Sequence, residues 1–384
     1  MKVISFLLAT TLFACGTSKH EDPIQPKIPD NPTVPTQIPE SKKDQHPDKT
    51  KVTVTSRWST EAGKVYKDNK EIQFRGVNWF GFETPDLVVH GLWTGRSMDS
   101  YLKQISDLGF NALRLPLAPE VFEDGYKSTQ GKEKPLDNLK DLLTTAKNNG
   151  IYVLLDQHTC NYKQGLMGSP LACDKYTIES WFATLEKMAR LSLEHTNIFG
   201  IDIYNEPHKL SWKEWQKISS EAASHILAIN PKLLIFIEGV ANQDTDNAGY
   251  GTNWGGNLVE AAKNPPNVPA SQLVFSPHTY GPSVFNQAYF DDPSFPKNMS
   301  KIWDAHFGYL TQKGYTVSLG EFGGRYKEKD QIWQDALIKY LVQKDMKNFF
   351  YWSLNPNSGD TGGLLNDDWT TVNEGKWNLL KKLF

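Results

Sequence analysis

Val3 to Ala14, the hydrophobic segment that follows Lys2, is far shorter than the ~20 apolar residues a membrane-spanning helix needs. It reads as an export signal rather than a span. An excess of charge is also lacking. The 384 residues carry 41 Lys and Arg against 44 Asp and Glu, a net charge of -3. A balance this near neutral, spread along the chain, gives no electrostatic reason to expect nucleic acid as a partner. No Gly-x-Gly-x-x-Gly turn follows the first expected strand, which argues against a doubly wound open sheet. No His-Glu-x-x-His helix or Cys-x-x-Cys pair accompanies Glu206-Pro207-His208, His158 and His278, so a metal site built from them has no support, and neither metal nor cofactor is expected.

Cysteine is scarce, at three residues. Leu12-Phe13-Ala14-Cys15-Gly16 resembles the lipobox of bacterial lipoproteins, in which the Cys is acylated after cleavage; ordinary signal cleavage is the alternative. Residues 1–15 are therefore expected to be a signal with a lipobox-like end, and the mature protein to be exported, either anchored in the cell envelope or secreted. Cys160 and Cys173 remain as an even pair in a polar loop, able to bridge in an oxidising compartment. Residues 16–56 are almost free of large apolar side chains, and seven of the 22 prolines lie between Pro23 and Pro47. Such a segment buries too little surface to offset its ordering entropy and is expected to be a flexible tether.

Aromatic residues are abundant. All 12 Trp lie after Arg57. Most fill a core, but flat rings on a neutral surface also suit a sugar-binding cleft. From residue 57 to 384 the sequence alternates short apolar runs with amphipathic stretches. Eight runs read as buried strands: Ile72 to Asn78, Ala112 to Leu117, Ile151 to His158, Phe199 to Glu206, Leu233 to Glu238, Leu273 to His278, Val317 to Glu321 and Phe349 to Ser353. Helical spacing falls between them at Ser97 to Leu108, Leu136 to Asn149, Ile178 to His195, Trp212 to Ile229, Lys301 to Lys313, Gln331 to Asp345 and Trp377 to Leu383, and more weakly at Asn257 to Lys263. Eight such repeats predict one α/β domain, a (β/α)8 TIM barrel, with Lys64 to Lys70 as a hairpin arm turning at Asp68-Asn69 beneath it.

In such a barrel, chemistry sits where strands end at their C-terminal side. The residues there are Asn78-Trp79, Arg114, His158, Asn205-Glu206, His278 with Tyr280, Glu321 and Trp352. Two carboxylates from the fourth and seventh strands would face one another, the pair that glycoside hydrolysis requires.

Arg114-Leu115-Pro116, Asn205-Glu206-Pro207, His278-Thr279-Tyr280, Gly320-Glu321-Phe322-Gly323 and Trp352-Ser353-Leu354-Asn355-Pro356 stand in the order and spacing of glycoside hydrolase family 5, which the sequence resembles from about Trp58 onward. Gly76 to Thr84, Val88 to Trp93, Trp254 to Leu258 and Ser358 to Gly363 resemble its bacterial endo-β-1,4-glucanase subgroup. The resemblance implies a retaining enzyme acting on cellulose or related β-glucans, with Glu206 as acid/base and Glu321 as nucleophile. It implies that Arg114 and Tyr280 keep Glu321 ionised, that Asn205 binds the sugar 2-OH, and that His158 and His278 contact sugar and orient the acid. Trp352 matches the platform beside the cleaved bond. Trp79 and Trp254 are candidate platforms farther along or, alternatively, packing residues, and His90 and Asp360 are candidate contacts to sugar hydroxyls. Gln157 stands where the subgroup often has Arg. The same mechanism on mannan, xylan or mixed-linkage glucan, and a non-catalytic surface glycan-binding lipoprotein, are the alternatives. The partner expected is a β-glucan chain, the chain itself a monomer, and the membrane is reached only through an acylated Cys15.

Overall fold

The computed structural model describes residues 57–163, 173, 176–241 and 249–384. Cys15, the expected signal and the expected tether lie outside these residues.

A run with no polar residue to turn toward water must be covered on both faces, and a parallel sheet wrapped in helices provides that cover. Strands β1 (Trp58–Glu61), β2 (Lys64–Lys67) and β3 (Lys70–Ile72) form an antiparallel sheet. The barrel strands follow: β4 (Arg75–Asn78), β5 (Ala112–Leu117), β6 (Tyr152–Gln157), β7 (Ile198–Asp202), β8 (Leu234–Ile237), β9 (Leu273–Phe275), β10 (Thr316–Val317), β11 (Leu319–Phe322) and β12 (Phe349–Tyr351). All neighbouring barrel strands pair in parallel, in the order β10-β9-β8-β7-β6-β5-β4-β12-β11. The two ends of that order, β10 and β11, are separated in sequence by Ser318 alone. They are one strand with an interruption: the first part pairs with β9, the second with β12, and the sheet closes as an eight-stranded barrel. Ser318 N–H donates to Phe275 O and Leu319 N–H to Asn348 O across this seam.

The floor is plugged by rings. Phe74, Phe199, Phe236 and Phe350 meet inside the barrel, and Trp58 of β1 lies on Phe74 and Phe199 from below. Gly76 is required here, because a Cβ would lie 2.2 Å from Phe350 Cδ1. The expected hairpin turn is present, with Asp68 and Asn69 at φ 52° and 65°, the left-handed pair that a tight two-residue turn demands. Trp58 N–H donates to Lys232 O and Thr60 Oγ1 to Ala270 O, which fastens the small sheet to loops entering β8 and β9.

The helices packed outside include α1 (Met98–Asp107), α2 (Pro135–Asn148), α3 (Ile178–Glu194) and α4 (Trp212–Ile229). Ser97 and Thr177 cap α1 and α3, and Ser211 with Glu214 closes a reciprocal capping box on α4. The stretch expected as Lys301 to Lys313 forms α5 (Met299–Trp303), a π turn (Asp304–Gly308) and α6 (Tyr309–Gln312). Helices α7 (Glu328–Gln343) and α8 (Glu374–Leu380) complete the shell. The weak helix expected at Asn257 to Lys263 is a series of turns instead. Tyr309 satisfies its backbone in place of a helical ladder: its hydroxyl donates to Leu258 O and Val259 O and accepts from Ala262 N–H. Several strands also end earlier than the apolar runs suggest, at Asp202, Ile237 and Phe275. Beyond these ends the ladder thins to single bonds, Ile203 N–H to Phe236 O, Asn205 N–H to Gln157 O and Ser276 N–H to Ile237 O, with a bridge between His278 and Glu321, and Asn205 and Glu206 line the mouth.

Candidate active site

Arg114 sits in the middle of β5, wholly buried, and the mouth is organised around it. Its guanidinium donates from Nε to Asp202 at 3.0 Å, from Nη1 to Asn78 at 3.0 Å and Glu321 at 2.6 Å, and from Nη2 to Asn205 at 3.0 Å and Glu238 at 3.1 Å. Asp156 lies 3.1 Å from Nη2. A planar fork of five N–H groups is the side chain suited to so many acceptors at once. Burial disfavours the Arg114 charge, but Asp156, Asp202, Glu321 and Glu238 outweigh it and hold the group firmly protonated.

The two expected carboxylates meet. One carboxylate oxygen each of Glu206 and Glu321 and a ring nitrogen of His278 all lie within 4.8 Å of one another. Glu321 receives the Tyr280 hydroxyl at 2.6 Å on Oε2 and Arg114 on Oε1. Burial alone would raise its pKa. The charges of His278 and Arg114, with the Tyr280 hydrogen bond, bring it below the ordinary glutamate value. Glu206 goes the other way. Burial, with the nearby Glu321 and Glu238 charges, pushes it up to about 7, although His278 Nδ1, 3.1 Å from Oε1, pulls against the rise. Neighbouring carboxyls with pKa values driven apart are what an acid and a nucleophile need. Glu206 is also held at φ 48°, a left-handed conformation that costs a side-chain-bearing residue about 1–3 kcal/mol and persists only where its surroundings enforce it.

Asn205 turns its Oδ1 to Arg114, while its buried Nδ2 finds no acceptor among the described residues. It lines the cleft, so a ligand hydroxyl is the natural partner. His158 Nδ1 lies 2.6 Å from Asp156 Oδ2, and burial pushes the imidazole down to about 3. Its ring stacks on Trp352 at 5.6 Å between centroids, with Phe80 stacked on the same indole at 5.4 Å. Trp352 Nε1 donates to Ser358. Asp360 lines the cleft and accepts from Ser358 Oγ and Thr361 N–H. Gln157 takes no part in charge balance there; its amide donates to Thr159 O at 2.7 Å. Cys160 and Cys173 are joined by a disulfide, with Cα atoms 6.2 Å apart, beside the cleft residues Thr159 and Tyr162.

Among the outer aromatic candidates the outcome divides. Trp254 lines the cleft and stacks on His208 at 4.4 Å. Trp79 is not a platform: it is wholly buried, packs on Tyr101 of α1 and donates its indole N–H to His90 O. Side chains alternate along a strand, and Asn78 already points inward to Arg114, so Trp79 must point outward to the helices. His90 does not line the cleft either. Its ring bonds Asn357, Thr84 and Asp86, and so braces Asn357, which does.

Three carboxyls of the cluster, Asp156, Asp202 and Glu238, were not singled out from the sequence. Each is a charged residue at the end of an otherwise apolar barrel strand, a signal that was available. Burial pushes all three up, while Arg114 and the charge of His278 pull against the rise. Glu83 was also missed. It lines the cleft, accepts from Gly81 N–H at 2.7 Å, and is raised by burial to about 8.

The cleft encloses about 990 Å³ across the mouth, the upper range for small-ligand sites. Phe80, Glu83, Thr84, Trp352 and the loop through Asp360, which follow the first and last barrel strands, form one end. Thr252, Trp254, Phe285 and Gln287, which follow β8 and β9, form the other, where Phe285 is 60% exposed.

The family model for cellulase, glycosyl hydrolase family 5, matches residues 65–358. The major extracellular endoglucanase of Xanthomonas campestris pv. campestris is 40% identical over 339 residues, covering 83% of this chain and 69% of its own. An endoglucanase of Paenibacillus polymyxa is 37% identical over 354 residues, covering 86% and 87%. An endocellulase from Pyrococcus horikoshii, solved in complex with cellotetraose, superposes with a TM-score of 0.79 at 36% identity, covering 85% of this chain and 98% of that one. The chain belongs to glycosyl hydrolase family 5.

Proposed function

We propose that this family 5 glycoside hydrolase is a retaining endo-β-1,4-glucanase that cleaves cellulose-type chains by double displacement, with Glu321 as nucleophile and Glu206 as acid/base. The observation that carries the reading is the approach of the two carboxylates, an oxygen of each within 4.8 Å. Retaining glycosidases hold the two carboxyl groups ~5 to 5.5 Å apart and inverting enzymes ~6.5 to 9.5 Å, and an oxygen-to-oxygen approach this close supports the shorter spacing.

In the first displacement the ionised Glu321 attacks the anomeric carbon. The glycosidic C–O bond breaks, and its oxygen takes the proton of Glu206. In the second, Glu206 removes a proton from water, the hydroxide adds to the same carbon from the face the leaving group vacated, and Glu321 leaves as carboxylate. Arg114 and Tyr280 hold Glu321 charged and aimed, and Asn205 Nδ2 reaches the 2-OH, a bond that strengthens as positive charge develops at the ring. Trp352 stacks beneath the sugar at the cleaved bond. Internal cleavage and β-1,4-glucan as substrate are supported by the names of the relatives and by the cellotetraose bound to the Pyrococcus enzyme.

The extracellular relative and Val3 to Ala14 together support export. Acylation of Cys15 would leave the enzyme tethered to the cell envelope as a monomer. The test of function is reducing-sugar release by the purified enzyme from carboxymethylcellulose, mixed-linkage glucan, mannan and xylan, with NMR of the first product. Fastest cleavage of carboxymethylcellulose with a β-configured product is expected. An α-product sinks the retaining mechanism, and preference for mannan or xylan sinks the substrate.

A further inference from the structure

Glu238 has no place in the two displacements, yet it touches Glu206 by two routes. Its Oε2 accepts the backbone N–H of Glu206 at 2.8 Å. Its Oε1 lies 3.1 Å from His278 Nε2, an ion-pair contact short of hydrogen-bond alignment, while Nδ1 of the same ring lies 3.1 Å from Glu206 Oε1. The carboxyl is wholly buried. Its own main chain is fixed: Trp215 of α4 donates its indole to Glu238 O, and Gly239 N–H donates to Gly255 O. Gly255 has to be glycine, because at φ 72° a Cβ would stand 2.5 Å from Glu238 Oε2 and 3.0 Å from the His278 ring.

We propose that Glu238 is a positioning residue for the acid/base: it holds the Glu206 backbone in its left-handed turn and, through His278, keeps a protonated Nδ1 facing the Glu206 carboxyl. The backbone contact gives the strained φ of Glu206 a cause, since a buried N–H turned away from any acceptor would otherwise be orphaned. The groups facing the Glu238 oxygens, the Glu206 N–H, Arg114 Nη2 and the His278 ring, are all donors, so Glu238 is held as a carboxylate against its burial and in turn favours the charged, doubly protonated ring. Flanked by Glu238 at Nε2 and by Glu321 near Nδ1, the ring is held as an imidazolium with both nitrogens protonated; Nδ1–H faces Glu206 Oε1, and the oxygen left over, Oε2, is the one to hold the transferable proton. The charged and titratable groups around this pair are Arg114 of β5, Asp156 of β6 and His158 just after it, Asp202 of β7, Glu206 itself, Tyr280 after β9, and Glu321 of β11, whose Oε2 is 3.5 Å from His278 Nδ1. Arg114 binds Glu238 too, so the cation that holds the nucleophile also holds the support of the acid.

The inference rests on Glu206 being the acid, and the experiment separates the two. Glu238→Gln keeps the shape and an acceptor for the Glu206 N–H but removes the carboxylate behind His278. On cellotetraose, which needs its leaving group protonated, kcat/KM is expected to fall about 10- to 100-fold. On dinitrophenyl β-cellobioside, which does not, the fall is expected to stay within about threefold, and the basic limb of the pH profile on cellotetraose should move by about half a unit or more. Equal losses on both substrates with an unmoved limb, or no loss on either, overturn the proposal. Glu206→Ala, run alongside, must itself discriminate between the substrates; if it does not, the acid assignment fails rather than that of Glu238. Should Glu238→Gln not fold, 15N NMR of histidine-labelled wild-type enzyme decides: a protonated His278 Nδ1 up to the basic limb is expected, and an unprotonated Nδ1 at neutral pH refutes the arrangement.

Discussion

If Glu206 supplies the proton, its titration must appear in the rate. Burial sets it at about 7, so above that pH the protonated fraction, and kcat/KM on an unactivated glucan, should fall tenfold per unit. At pH 9 about one molecule in a hundred would still carry the proton, equivalent to about 2.7 kcal/mol of barrier. Replacing Glu206 by Ala should reduce kcat/KM on cellotetraose by about 10²- to 10⁴-fold and abolish the limb, but spare dinitrophenyl β-cellobioside. Because kcat/KM reports events up to the first irreversible step, the later role of Glu206 as base does not blur the comparison. Azide should then yield the β-glycosyl azide from the glycosyl-enzyme. Glu321→Ala should lose turnover on every substrate and, with azide filling the vacated face, give the α-azide from the activated glycoside. Initial rates from pH 4 to 10 on both substrates, with NMR of the azide products, make the assay. A basic limb near 7 that survives in Glu206→Ala, or exchanged azide configurations, would show the roles to be reversed or the acid to lie elsewhere.

Arg114→Met leaves Asp156, Asp202, Glu238 and Glu321 buried without their cation, and should cost about 3–5 kcal/mol in urea unfolding; an unchanged midpoint would refute the network's weight. Glu83→Gln should gain stability relative to wild type as pH rises. The folded carboxyl titrates at about 8 and the unfolded one near 4.5, so between these values the unfolded state binds fewer protons and the wild type loses up to about 1.4 kcal/mol per unit. Urea midpoints of the two proteins at pH 5 and pH 8 check this, and an equal gap at both would contradict it. Reduction of Cys160–Cys173, which closes a loop 13 residues apart in sequence, should cost about 3 kcal/mol by the chain-entropy model, read as a lower melting temperature with reductant. Finding both thiols free in the native exported protein by mass spectrometry would remove the bridge altogether.

The local pattern of residues was enough for the eight strands, because a run such as Leu234–Ile237 can be stable only where both faces are covered, and eight of them alternating with helices can close into a barrel. Glu206 and Glu321 were legible for the same reason: a charged group near or just past the end of a buried strand has few places to be except the mouth. What only the tertiary structure decided is which neighbours those groups meet. Arg114 reaches six carboxyl and amide partners from β4, β6, β7 and β11 and the segments after β7 and β8, strands brought together by closure of the sheet, and no spacing along the chain encodes that convergence. Glu238 could be seen to end a strand, but its contact with the Glu206 backbone exists only because Glu206 turns left-handed beside it. Trp79 and Trp254 look alike in sequence. The register of β4 sends the first into the helix packing, since Asn78 takes the inward position, while the turn at Gly255 leaves the second on the cleft wall. A one-residue change of phase moves a side chain from sugar to core, and that phase is set by pairing with the neighbouring strands.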